Sequence, residues 1–174
     1  LGGGLILNKD VFSMSPGEAL QLQNFEPDIE GGYKKILGTS KYNTNIVPQV
    51  SSSSERVVFS AIFNDVVLAG RGGSIHRGSS GSGSWTSTIT GLGTPTQNYE
   101  HRLFNFDGTD KIIITTGTSN PQILNTSFST TVVDASGTSN FKFVEIFKNH
   151  IFFAGHSSNI QEVSFMGPNQ TNDF

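Results

Sequence analysis

From Val57 onward one pattern occurs three times, and it limits the fold more than any other feature of the chain. An amphipathic strand is followed by a tight polar turn, a more apolar strand that runs into glycine, a loop, and a third strand. The first unit reads Val57–Phe63, a turn at Asn64-Asp65, Val66–Gly70, a glycine turn, and Ser74–Arg77, closing near Ser84-Trp85-Thr86. The second reads Arg102–Phe106, a turn at Asp107–Asp110, Lys111–Thr116, Gln122–Asn125 and Phe128. The third reads Phe141–Phe147, a turn at Lys148-Asn149, Ile151–Gly155 and Ile160–Phe165, ending on Asp173-Phe174. Equivalent strands begin at Val66, Ile112 and Ile151, 46 and 39 residues apart. That spacing suits a radial β repeat of roughly 40–50 residues, in which each blade has an apolar face and must stack on its neighbours to bury it.

The pattern predicts an all-β chain: a partial β-propeller of about three blade-like repeats (57–90, 100–135 and 141–174) within a region spanning 46–174. A sandwich of sequential hairpins would show similar strands; the repeated Ala/Thr-Gly ending of the middle strand favours blades. Closed propellers use roughly four to eight blades, and an open fan would leave unpaired edges that native proteins avoid. The array is therefore expected to be incomplete, continuing past Phe174 or completed elsewhere. The chain begins at Leu1 rather than Met and no signal-peptide pattern follows, so a fragment, or a chain lacking its leading residues, is expected.

Composition agrees. Hydrophobic residues make up 34% and charged residues 14%, with Ser, Thr, Asn and Gly filling the difference, as half-exposed strands and turns require. Fourteen Phe supply a core, which argues against disorder. The net charge of -3 without a basic tract gives no reason to expect tight binding to nucleic acid. With no cysteine there is no disulfide framework and no Cys-based metal site. The apolar runs are far too short to span a membrane as a helix.

The first 45 residues differ from the rest and read as an N-terminal arm. Ser15-Pro16-Gly17-Glu18 carries a helix-start signature: a Ser cap, Pro in first helical position and Glu in third. A short helix presenting Leu20, Leu22 and Phe25 is expected, ending at Pro27 because the residue before proline disfavours the helical region. Asp28–Tyr33 reads as a turn and Tyr33–Gly38 as a strand leaving it.

The order Gly3-Gly4-Leu5, Ser15-Pro16-Gly17-Glu18-Ala19, Asn24-Phe25-Glu26-Pro27-Asp28, Gly31-Gly32-Tyr33-Lys34-Lys35 and Gly38 resembles the opening of tail nozzle proteins of short-tailed bacteriophages (tail tubular protein B and its relatives). Phe147–Gly155 with Val163-Ser164-Phe165, Gly167-Pro168-Asn169 and Asn172-Asp173-Phe174 is similar to a blade of the same family. His150 stands where that family usually has Arg, and Met166 interrupts the last turn. The resemblance implies a non-enzymatic structural protein of the virion tail. It would form a propeller ring, usually of six copies, around the DNA exit channel. Its partners would be further copies of itself, tail adaptor and fibre proteins, and DNA passing without tight binding, with no membrane. Alternatives are a carbohydrate-binding propeller or receptor-binding module, and a head–tail connector or fibre adaptor.

No catalytic, cofactor-binding or metal-binding residue is expected. His150 and His156 lack a carboxylate pattern for metal binding. Glu100 and His101 are adjacent on a strand, so they point to opposite faces. Asp107 with Asp110, and Glu26 with Asp28, suit turns. Gly70–Ser74 lacks the Gly-Lys-Ser/Thr ending of a phosphate loop and reads as a β-turn. Ser79–Ser84 reads as a surface loop. Asn125-Thr126-Ser127 and Asn169-Gln170-Thr171 match a glycosylation sequon that arises readily by chance. Trp85 could stack on sugar, but packing between blades is its expected role.

Overall fold

The computed structural model describes residues 4–5, 11–15, 18–19, 25–27, 33–38, 40–48, 55–93, 98–134 and 140–168. The chain separates into two units, Leu1–Lys41 and Tyr42–Phe174. Within the described residues it is all-β apart from a single 3-10 turn at Val11–Ser13. No helix among them is long and apolar enough to cross a membrane.

In the first unit, β1 (Gly4–Leu5) pairs in parallel with β2 (Glu18–Ala19), and β3 (Phe25–Pro27) pairs antiparallel with β4 (Tyr33–Lys35). The expected helix is corrected here, because Glu18–Ala19 and Phe25–Pro27 are strands; Leu20 and Leu22 lie outside the described residues. Half of the capping signal is nevertheless made: the Ser15 amide donates to Glu18 Oε2 at 2.8 Å. The Glu18 amide donates back to the Ser15 carbonyl at 3.1 Å. The pairing of Glu18–Ala19 with Gly4–Leu5 takes the place of the helix start. Farther along, the bias of a pre-proline residue toward extended backbone puts Glu26 in a strand. Its carboxylate lies 3.4 Å from Lys34 Nζ, its partner across the pair. The expected strand from Tyr33 is present over Tyr33–Lys35; the expected turn before it lies outside the described residues, as does Asp173-Phe174.

The second unit holds three antiparallel meanders in sequence order. The first contains β5 (Val57–Phe63), β6 (Val66–Arg71), β7 (Ser74–Gly78) and β8 (Thr86–Ile89). The second contains β9 (Glu100–Phe104), β10 (Lys111–Thr115), β11 (Gln122–Asn125) and β12 (Thr130–Val132). Only three strands are described in the third: β13 (Phe143–Phe147), β14 (His150–Ala154) and β15 (Val163–Met166). Strand β12 was not legible in the sequence, since Thr130–Val132 is a short run with no turn signal of its own.

The hairpins explain the registers. Asn64 and Asp65 (φ 48° and 59°) and Lys148 and Asn149 (φ 47° and 60°) form two-residue turns with both central residues left-handed. Such a turn matches the twist of the flanking strands. Gly72-Gly73 closes β6 onto β7 in the same way, which removes the phosphate-loop reading. Gly73 is required twice over, because a Cβ there would also lie 2.4 Å from the Gly93 carbonyl oxygen. Between β9 and β10 the loop is longer. There Asp107 accepts from the Thr109 amide and pairs with Lys111 at 2.6 Å, while Asp110 accepts from Asn105. Both acids thus have turn roles.

Residues Tyr42–Asn45, placed with the arm in the sequence reading, belong to the second unit. Asn43 is buried and donates to the Ser79 and Gly83 carbonyls, and Gly81 exchanges backbone bonds with Tyr42 and Thr44. The segment pins the β7–β8 loop.

Candidate functional site: the faces of the meanders

Aligning the three hairpins by their pairings gives each strand residue an equivalent in the other meanders. Phe63 opposite Val66 corresponds to Phe104 opposite Lys111 and to Phe147 opposite His150. Because side chains alternate across a strand, every position then belongs either to a forward face, toward the next meander, or to a rear face, toward the preceding one.

In the first meander the forward face carries Phe59, Phe63, Leu68 and Ile75. These pack with rear-face Ile112, Ile114 and Leu124 of the second in one buried cluster. On its own forward face the second meander carries Ile113 and Ile123, which join rear-face Val144, Ile151, Phe153 and Met166 of the third in another. Three consecutive isoleucines, Ile112–Ile114, are each fully buried because the middle sheet is covered on both sides. Period-2 alternation, read as one core with a solvent face, would leave Ile113 exposed; two-sided stacking accounts for the continuous run.

The forward face of the third meander has the same positions and no cover among the described residues. Phe143 corresponds to Phe59, Phe147 to Phe63, Phe152 to Leu68, and Phe165 to Arg77 and Ile123. Phe59 and Phe63 are 4% and 3% exposed, whereas Phe143 and Phe147 are 49% and 61% exposed. Val163 and Phe165 extend the patch, and the Phe152, Phe165 and His150 rings sit about 6 Å apart. Together they form a contiguous apolar sheet face rather than a scattering of single exposed residues.

Polar contacts also join the second and third meanders. Thr115 Oγ1 donates to the Lys142 carbonyl at 3.0 Å, and the Gly117 amide donates to the Phe141 carbonyl at 2.9 Å. An ion pair links the edge strands β9 and β13. The Arg102 guanidinium donates to both oxygens of Glu145, from Nη2 to Oε2 at 2.8 Å and from Nε at 3.1 and 3.2 Å. This bond holds the Glu145 carboxyl below, and the Arg102 guanidinium above, the ordinary values. The pairing was missed from sequence because the partners are 43 residues apart and by register both lie on forward faces; the ion pair forms where the edge strands β9 and β13 meet.

The four histidines have separate settings. His101 projects rearward, edge-on to Phe59 at 5.2 Å, and Glu100 lies on the opposite face, as alternation requires. His150 Nδ1 bonds the Lys148 carbonyl in its turn, and His156 Nδ1 accepts from the Ser158 amide. His76 is 5% exposed, with neither ring nitrogen hydrogen-bonded; desolvation lowers its pKa, as it does that of His101. Among the described residues no group of three or more His, Asp or Glu could hold a metal ion. Trp85 sits in its own sheet rather than between meanders. Its ring fills the space above Gly78, where a Cβ would lie 2.5 Å from it, and its Nε1 donates to the Asn45 carbonyl. Asn125 accepts from the Ser127 and Ser129 amides, which gives it a turn role; Asn169-Gln170-Thr171 lies outside the described residues.

Comparison with family models, with curated proteins and with solved structures finds no match in any of the three.

Proposed function

We propose that the three meanders are consecutive blades of a β-propeller-like ring and that the protein is a non-enzymatic structural component of a bacteriophage tail, nozzle-like in position. The observation that carries the blade reading is the repeated face assignment. The same register positions that bury Phe59 and Phe63 under the second meander leave Phe143 and Phe147 open on the third. A further β-sheet presenting an apolar rear face is the cover that this geometry fits. In such a ring the work is mechanical. Stacked sheets resist shear because each is held by apolar contact on both faces, and the weakly acidic chain, with net charge -3, does not hold DNA tightly.

Placement in a tail rests on the order and spacing of the motifs in the first 45 residues and in Phe147–Phe174 described above. Cryo-electron microscopy of intact particles provides the test. The chain is expected in a symmetric ring on the tail axis, with copies of itself and fibre or adaptor proteins as neighbours. Particles whose tail density accommodates no such ring of meanders would overturn the reading.

A further inference from the structure

The repeat that explains the stacking departs from its apolar pattern in β7. Where the second and third meanders carry Ile123 and Phe165 on the forward face, the first carries Arg77. The next position, Leu124 and Met166 in the others, is Gly78. A charged group in an otherwise apolar stacking row is a local departure of the kind that marks function, since sequences agree with their fold elsewhere.

Arg77 opens onto a cleft of about 420 Å³ between the first and second meanders, within the roughly 300–1,000 Å³ range of ligand pockets. Its guanidinium lies 5.0 Å from the centre of the Phe128 ring. Among the described residues it has no hydrogen-bond or ion-pair partner. The same holds for the carboxylate of Asp65, which also lines the cleft. Ser79, Ser80, Ser84 and Thr86 also line it, and their hydroxyls bond no protein group among the described residues.

The walls are fixed by bonds that leave these groups unused. Asn64 Nδ2 donates to the Thr126 carbonyl at 3.1 Å, tying the β5–β6 turn to the β11–β12 turn. Asn43 anchors the serine loop through the Ser79 and Gly83 carbonyls. Phe128 itself holds φ 61°, an uncommon conformation for an aromatic residue and one that costs backbone energy.

We propose that this cleft binds a neutral saccharide residue. Vicinal hydroxyls both donate and accept. Arg77 supplies only donors and Asp65 only acceptors, while the serine and threonine hydroxyls supply both; the exposed part of the Phe128 ring takes the apolar sugar face. One cation and one anion cancel, so the cleft does not select a phosphate or a simple cation. This site is separate from the open face of the third meander and does not depend on the ring assembly.

The test is titration of the full ¹⁵N-labelled chain with galactose, glucose, N-acetylglucosamine and, for contrast, glucuronate and inorganic phosphate, following amide shifts. Saturable shifts confined to residues 64–66, 77–86 and 126–129 with at least one neutral sugar are expected, and Arg77→Met should weaken that binding about tenfold or more. No response to any neutral sugar, or a response that Arg77→Met leaves unchanged, overturns the proposal; so does binding restricted to glucuronate or phosphate. Should Arg77→Met fail to fold by thermal melting, Asp65→Asn replaces it. Asparagine tolerates the left-handed backbone of that turn, and unchanged sugar binding in Asp65→Asn would equally overturn the assignment. Particle images decide the ring, and this titration decides the cleft.

Discussion

The second and third meanders are built on the same register, yet among the described residues one is sheathed on both faces and the other on one. In the second, Ile112–Ile114 leave no surface exposed. In the third, Ile151 and Phe153 are fully buried on the rear face while Phe147, four and six residues away, is 61% exposed on the forward face. The difference teaches that burial here is a property of the stack and not of the strand. A strand's residue types answer to what lies on both sides of its sheet, and on the forward face of the third meander large aromatics are exposed among the described residues.

The comparison breaks most sharply by truncation on the two sides of one strand pair. Phe153→Ala removes a fully buried ring from the second cluster and is expected to cost about 3–5 kcal/mol. By contrast, Phe147→Ala on the exposed face is expected to cost less than about 1 kcal/mol. Urea unfolding of both variants measures this, and equal losses would refute the assignment of faces.

A buried polar group sharpens the first interface from the opposite direction. Tyr99 lies in the first cluster with its hydroxyl unbonded, and desolvation pushes its pKa up to about 12. Tyr99→Phe keeps the ring and removes the unsatisfied hydroxyl, so it is expected to raise stability by about 1 kcal/mol. A lower melting temperature would show that the hydroxyl has a partner.

The pH dependence follows from two desolvated imidazoles, one buried and one half-buried. Burial holds His76 and His101 below the ordinary 6.5, so the unfolded chain takes up protons first as the solution is acidified. Stability is therefore full above 6.5 and falls as pH drops through and below it. His76→Gln, which installs the residue found at the equivalent position, Gln122, is expected to flatten that fall; an unchanged slope would assign the dependence elsewhere.

The smallest effect belongs to Arg102 and Glu145. The lowered Glu145 pKa makes their contribution present above the ordinary glutamate value of 4.5 and lost as pH falls through the lower folded value. The pair is exposed, so a double-mutant cycle should return only a small coupling, diminished by salt.

Much of this was legible in the sequence because local chemistry and the repeat agree. Asn64-Asp65 and Lys148-Asn149 announce hairpins, and the apolar strands after them fall where expected. The arm was not legible in the same way. Ser15–Glu18 reads as a helix start, and only the strand pairing of Glu18–Ala19 overturns it. Arg77 lay in plain view as part of a strand. Its significance appears only when the register sets it beside Ile123 and Phe165, a comparison that needs the pairings.

The stacking account is tested most directly by hydroxyl-radical footprinting of Phe143, Phe147, Phe152 and Phe165, in the isolated chain and in the assembled particle. The account predicts oxidation of these rings in the isolated chain and strong protection in the particle, while Phe59, Phe63 and Phe153 stay protected in both. Equal labelling of the four rings in both states would contradict it.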